Sequence, residues 1–309
     1  MKKIERTGPT MLKVTNLKKT FGDYTAVSDM NLTLDKGVIL GLIGSNGAGK
    51  STIIRMLTGV YLPNGGTVEY DGQAVYDNVA VKRNIFYFPD ELYFAGATVK
   101  DTANFYKHFF PNFSCDLFYE LCSSFNLKKS QAIMACSKGM KRQVMMNAAI
   151  ASNVQYIYLD EAFDGLDAVA RQTYIKLFVE LAHEKGTDII VATHNIREID
   201  HFCDRLCLLY KSNIIADTTP DELVEKRTRA VVEFDPTFYV DTFIKENVST
   251  YTKKGDKYTL TFDKKKDEAK TIINNANPKS VEYLAMTLED SFVCELEASG
   301  YEIKSVDVV

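Results

Sequence analysis

A chain of 309 residues, 46% hydrophobic and 25% charged, has the composition of a globular protein; global disorder is excluded, and there is room for one large α/β domain plus a smaller one. A net charge of −4 lacks the basic excess of a dedicated polyanion binder, so no nucleic-acid partner is expected. The six cysteines (Cys115, Cys122, Cys136, Cys203, Cys207, Cys294) form no CxxC pair and have no histidine cluster nearby, which points to reduced thiols in a cytosolic protein.

Nothing in the sequence approaches the ~20 apolar residues of a membrane span, and the start MKKIERTGPTMLKV has no apolar signal-peptide core. A cytoplasmic chain is expected, recruited to a membrane by a partner if it works there. Cys203 and Cys207, four residues apart, suit core packing rather than metal binding.

After a tail over residues 1–10, residues 11–35 predict short strands around the polar Gly22-Asp23 turn, the second ending in the alternating NLTLD. Val38 to Ile43 is a continuous apolar run, the pattern of a strand buried on both faces. A glycine-rich loop and the helix STIIRMLTG follow, then a strand TVEY between the turn signals Asn64-Gly65-Gly66 and Asp71-Gly72. Residues 95–152 turn helical and aromatic, in three periodic segments that read as a helical insertion. Alternation then resumes with strand VQYIYLD, a helix from Asp167 to about Lys185, strand TDIIVAT, a helix from Asn195, and strands RLCLLY and NIIAD. Strands separated by single helices predict a parallel sheet covered on both faces. From 227 to 309 the pattern changes to a small α+β appendage. Its lysine runs, 253–257 and 264–266, are interleaved with acids and read as solvated surface.

The chemistry concentrates at two places. Gly44-Ser45-Asn46-Gly47-Ala48-Gly49-Lys50-Ser51 fits GxxxxGK[ST], with a buried strand before it and a helix after it. Glycines let backbone N–H groups curl around phosphate oxygens, the helix points its positive end at the anion, and Lys50 reaches the outer phosphates. Ser51 is expected to ligate Mg²⁺ through its hydroxyl. The second place is Tyr156-Ile157-Tyr158-Leu159-Asp160-Glu161, an apolar strand ending in two acids. Successive strand side chains point to opposite sides, so the acids divide the work. Asp160 is placed to hold Mg²⁺ through water, and Glu161 to orient the attacking water and accept its proton.

With these two elements in order, the chain resembles the nucleotide-binding subunit of an ATP-binding cassette (ABC) transporter over residues 11–226. Cys136-Ser137-Lys138-Gly139-Met140 stands where that family carries LSGGQ, keeping Ser-x-Gly and departing at Cys136, Lys138 and Met140; SKGMK is similar to exporter-type cassettes. The resemblance implies that Ser137, Lys138 and Gly139 grip the γ-phosphate held by a second subunit, and that Gly165-Leu166-Asp167 lines that interface. It implies His194 as the γ-phosphate sensor and Phe21, or less favourably Tyr24, as the adenine-stacking ring. Where the family carries glutamine, this chain has Asp90 after Pro89. Two roles stay open for it: a nucleotide sensor, holding the metal through a water or repelling the γ-phosphate until Mg²⁺ arrives, or a turn cap. Thr287 to Phe292 is similar to the LED-x-F ending of exporter-type cassettes.

The fold so implied is an α/β P-loop NTPase with a RecA-like parallel sheet core, an N-terminal antiparallel β subdomain, a helical insertion and the C-terminal appendage. The implied cofactors are ATP and Mg²⁺. Two cassettes, copies or paralogues, would close head to tail around Mg·ATP, each nucleotide lying between Ser45 to Thr52, Asp160, Glu161 and His194 of one and Ser137 to Gly139 of the other. A separate multi-span permease would be driven through Asp90 and Leu92 to Phe94, with export the expected direction. The rivals are a soluble ABC ATPase acting on ribosomes or DNA, and a weakly hydrolysing ATP-binding regulator.

Overall fold

The structure, a computed structural model, describes residues 10–301. Two compact units divide the chain, Met1–Asp217 and Thr218–Val309. The second unit therefore begins ahead of the expected 227, because the helix at 220–225 packs against the helix at 288–298 of the appendage.

The first unit opens with β1 (Thr10–Phe21) and β2 (Tyr24–Asp35), a hairpin of two 12-residue strands. The polar Gly22-Asp23 pair turns it, with Gly22 in the left-handed region at φ 56°. The strands are longer than the short ones expected because register shifts let them bend while staying paired. β3 (Ile39–Gly44) is buried along its whole length and runs into α1 (Lys50–Leu57). β4 (Gly65–Tyr70) pairs antiparallel with β1, and β5 (Gln73–Ala74) completes that sheet in the order β2-β1-β4-β5. Gly65 and Gly66, expected in a turn, belong to β4: a Cβ on Gly66 would sit 2.3 Å from the Thr15 and Asn16 carbonyls, so glycine lets β1 approach.

A short α2 (Val79–Lys82) leads to β6 (Ile85–Phe88). The helical stretch follows as α3 (Val99–Phe109), α4 (Cys115–Ser124) and α5 (Lys138–Ala151), capped by Thr98, Ser114 and Ser137 side chains on backbone N–H groups. β7 (Tyr156–Asp160) precedes α6 (Ala168–Lys185), which Asp167 caps at its start and Gly186, at φ 71°, ends in the left-handed conformation. β8 (Asp188–Thr193), β9 (Arg205–Tyr210) and β10 (Asn213–Thr218) finish the unit. The helix expected from Asn195 is only a 3₁₀ turn, Ile196–Glu198; Asn195 accepts from the Arg197 N–H, and Glu198 turns back onto Thr193 at 3.0 Å.

The central sheet has the order β10-β9-β3-β8-β7-β6, with β9, β3, β8, β7 and β6 parallel. β3 thus lies between β8 and β9, and β7 beyond β8. The carboxyl ends of β3, β7 and β8 meet on one side of the sheet, where ligands bind in open α/β folds. This is a P-loop NTPase cassette: a parallel core, an antiparallel β subdomain and a helical layer. Cys203 and Cys207 are buried, as core packing requires.

The second unit begins with α7 (Pro220–Glu225), capped by Thr219. β11 (Thr228–Glu233), α8 (Val240–Asn247), β12 (Thr250–Lys254), β13 (Lys257–Phe262), α9 (Lys266–Asn275) and β14 (Ser280–Leu284) then form a β-α-β-β-α-β unit with sheet order β12-β13-β11-β14. Ala230, Val232, Leu260 and Phe262 pack with Phe243, Ala269 and Ile273 to make its core. The LED-x-F stretch opens α10 (Leu288–Ala298), where Thr287 and Asp290 form a capping box.

Candidate functional site

The phosphate loop is shaped by three glycines with different reasons to be glycine. A Cβ on Gly44 would meet the Leu209 carbonyl at 2.6 Å, and one on Gly49, at φ 105°, the Ala26 carbonyl at 2.4 Å. Gly47 has open space around it and is required for its φ of 81°. Ser45, Asn46 and Gly47 are exposed, whereas Ala48 turns its methyl into the core and its N–H onto the Ser45 carbonyl at 3.1 Å. The Tyr24 hydroxyl donates to the Gly47 carbonyl at 2.9 Å.

Behind the loop, α1 starts with neither an acidic residue in its first turn nor a side-chain cap. Its free N–H groups, those of Lys50, Ser51 and Thr52 among them, are an uncompensated positive pole beside the loop. Lys50 is 5% exposed and donates to the Gly44 carbonyl at 2.8 Å and the Ser45 carbonyl at 3.3 Å. Its ammonium also lies 3.4 Å from Glu161 Oε1.

Asp160 and Glu161 take different partners, Asp160 as the last residue of β7 and Glu161 just beyond it. Asp160, fully buried, accepts from the Ser51 hydroxyl at 3.0 Å and, through its other oxygen, from Tyr87 at 3.4 Å. Burial raises its carboxyl above the ordinary range, the Ser51 bond pulls it down, and the charges of Glu161 and Asp90 push it up. Glu161 turns the other way and meets His194 Nδ1 at 2.9 Å through Oε2. Its backbone has left the strand, at φ 48°.

A hydroxyl and a buried carboxylate 3.0 Å apart beside a phosphate loop are the hard oxygen donors that Mg²⁺ takes. Burial that disfavours the Asp160 charge also favours a cation next to it. The residues present therefore fit the metal, with Ser51 and Asp160 as its protein donors and phosphate oxygens supplying others.

Asp90 does not join this pair. Its carboxylate lies 3.1 Å from the Arg142 guanidinium, an ion pair that the sequence did not announce. Ser137, Lys138 and Gly139 sit at the start of α5, with contacts toward the 164–165 loop. Ser137 Oγ accepts from the Met140 N–H at 3.2 Å, Lys138 meets Asp164 at 2.6 Å, and a Cβ on Gly139 would stand 2.9 Å from the Gly165 carbonyl. Lys138 holds the Asp164 carboxyl below the ordinary range. Phe21 is half-exposed, edge-on to Tyr61 at 5.7 Å and under the Lys19 ammonium at 5.1 Å.

Sequence reasoning missed Arg142 and Tyr87. A lone arginine in the helical KGMKRQ carries no signal of burial, and Tyr87 reads as one more aromatic of a strand. Beside β6, Val79, Arg83, Phe105, Tyr106 and Phe109 line a groove of about 460 Å³. No helix among the described residues is long and apolar enough to cross a membrane.

A parallel sheet that gathers a glycine loop, a buried lysine, paired acids and a histidine at its carboxyl edge defines a P-loop ATPase. Residues 27–164 match the family model described as ABC transporter. The chain is 28% identical over 287 residues to the ABC transporter ATP-binding protein YtrB of Bacillus subtilis, covering 92% of this chain and 98% of that one. It is 30% identical over 226 residues to the lipopolysaccharide export system ATP-binding protein LptB of Haemophilus influenzae, covering 70% and 93%. Among solved structures it is similar to an ATP-binding subunit of an ABC transporter, with TM-score 0.63 and 27% identity over 69% of this chain and 92% of that one. A dimeric bacterial ABC transporter cassette shares the fold at TM-score 0.61 and 21% identity, covering 68% and 98%. The chain belongs to the family of ABC transporter ATP-binding proteins.

Proposed function

We propose that this ATPase is the motor subunit of a membrane exporter, closing head to tail with a second cassette around Mg·ATP and working on the cytoplasmic face through a separate permease. The observation that carries the reading is the convergence of Lys50, Ser51, Asp160, Glu161 and His194 on one loop. The β- and γ-phosphates take the place at Lys50 now filled by Glu161 and the loop carbonyls. Glu161, released from Lys50 and held by His194, accepts the proton of the water that attacks the γ-phosphorus as the bond to the bridging oxygen breaks. His194, half-exposed on the other side of Glu161, orients that carboxylate and reads the γ-phosphate. Bound Mg²⁺ supplies charge neutralisation of the phosphates.

Phe21 serves as the adenine platform. Ser137, Lys138 and Gly139 complete the nucleotide site of the second cassette, which suits their place at a helix start, with Ser137 and Lys138 exposed and Gly139 half-buried. The aromatic groove beside β6, with Leu92, the exposed Tyr93 and Phe94 nearby in sequence, receives the permease. Export is supported by the SKGMK and LED-x-F segments and by the similarity to LptB, a protein of an export system. The test is Glu161→Gln, for which phosphate release collapses while ATP still binds and traps a dimer on gel filtration. Near-normal turnover would remove Glu161 as the base. Co-purification with ribosomes or DNA in place of a membrane protein would overturn the transporter reading.

A further inference from the structure

Arg142 is the largest fully buried side chain of the protein's described residues, 1% exposed, and it stands among the reacting groups without any role in the mechanism above. It arises from the second turn of α5, the helix that Ser137 caps. One guanidinium nitrogen donates to the Glu161 carbonyl at 2.6 Å. The other meets the Asp90 carboxylate at 3.1 Å and its carbonyl at 3.4 Å, with Asp164 at 3.9 Å. The Phe88 ring lies beneath at 5.8 Å, and Nε has no hydrogen-bond partner.

A buried guanidinium is tolerated only where charge and acceptors compensate it. Asp164 is committed to Lys138 at 2.6 Å, which leaves Asp90 as the nearer counter-charge. The compensation is mutual. Arg142 bridges the Asp90 carboxylate and the Glu161 carbonyl, so an unpaired Asp90 adds a negative charge one guanidinium away from the residue that faces Lys50 at the phosphate loop. Arg142 also grips the main chain of Glu161 where it turns to the left-handed conformation, the bend that directs its carboxylate to Lys50 and His194.

We infer that Arg142 is a positioning residue with two separable effects: it neutralises Asp90 so that ATP can approach, and it fixes the main chain of the general base. The inference rests on the reading of Glu161 as base, and its two effects fall on different kinetic constants.

The experiment is steady-state ATP turnover of the full chain at saturating Mg²⁺ for wild type, Arg142→Gln, Asp90→Asn and the double variant. Arg142→Gln should raise KM for ATP about tenfold, by the size of coupling usual between contacting charges, and lower kcat. The double variant should return KM to within about threefold of wild type while kcat stays low, because Asp90 no longer repels but Glu161 still lacks its donor. A structural role alone predicts no such rescue. Asp90→Asn alone, which keeps an amide oxygen as acceptor for Arg142 and whose folding is checked by circular dichroism, should lower KM for ATP by removing the negative charge of Asp90. A KM unchanged or raised in Asp90→Asn overturns the inference, the latter by making Asp90 a metal ligand. A double variant no better than Arg142→Gln overturns it too. Absence of any turnover in the wild type would instead sink the ATPase reading itself.

Discussion

Lys50 and Glu161 face each other at 3.4 Å across the mouth of the phosphate loop, the lysine almost wholly buried and the glutamate nearly so. The loop is thus closed on itself by an internal ion pair. Under the proposed mechanism the γ-phosphate takes Lys50 away from Glu161 and the same exchange frees the Glu161 carboxylate for the water, so one contact would couple occupancy of the site to readiness of the base.

Replacing Lys50 with Ala is expected to weaken ATP binding ~10- to 100-fold, since a charge-assisted hydrogen bond is worth about 1.5–3 kcal/mol. Titration calorimetry measures this directly. The fold survives, because the loop conformation is set by its glycines and by the Ala48 N–H bond to Ser45. Undiminished affinity would place the phosphates elsewhere.

Phe21 and Tyr24 pair across the β1–β2 hairpin, and both are half-exposed, but only Tyr24 is bonded to the loop. Stacking of a base on an aromatic ring is worth about 1–3 kcal/mol, so Phe21→Ala should raise the dissociation constant for ATP about tenfold. Tyr24→Phe, which removes one neutral hydrogen bond of about 1 kcal/mol, should cost less than Phe21→Ala. The reverse order, with Tyr24→Ala the worst of the three, would make Tyr24 the platform and Phe21 a partner of Tyr61.

Asp188, at the start of β8 and far from any proposed chemistry, is 2% exposed with Oδ2 lacking a hydrogen-bond partner. Oδ1 accepts from the Gly37 N–H. Burial pushes its carboxyl up to about 7, against the pull of that bond and of the Lys36 charge. The folded state thus holds the proton more tightly than the unfolded chain. Its contribution is full below the ordinary carboxylate range and is lost as pH rises toward 7, a total of at most about 4 kcal/mol. Asp188→Asn removes that dependence. Urea unfolding from pH 4 to pH 8 should find the variant gaining on wild type up to pH 7 and level above it; a constant difference would mean that Asp188 does not titrate in this range.

Much of the cassette was legible in the sequence because its signals are local. The apolar run of β3, the spacing of Gly44, Gly49, Lys50 and Ser51, and the apolar strand ending in Asp160-Glu161 each state their structure within a few residues. Caps such as Asp167 and Gly186 fixed α6 in the same way. Where local signals competed with long-range packing, expectation and structure parted. Gly65 and Gly66 read as a turn but serve the close approach of β1, and the segment after Asn195 is shortened by the bond between Thr193 and Glu198.

What the sequence determined by itself is which chemistry is present: a phosphate loop, two acids that must point apart, and a histidine at a strand end. Only the tertiary structure decided who faces whom, because β3, β7 and β8 become neighbours through sheet order, which no stretch of sequence encodes alone. It set Glu161 between Lys50 and His194, joined Ser51 to Asp160, and gave Asp90 to Arg142, 52 residues away along the chain. That last pairing depends on burying a charged side chain against another segment. Burial is a property of the packed molecule, and so an arginine that reads as surface along a helix is buried against Glu161 and Asp90.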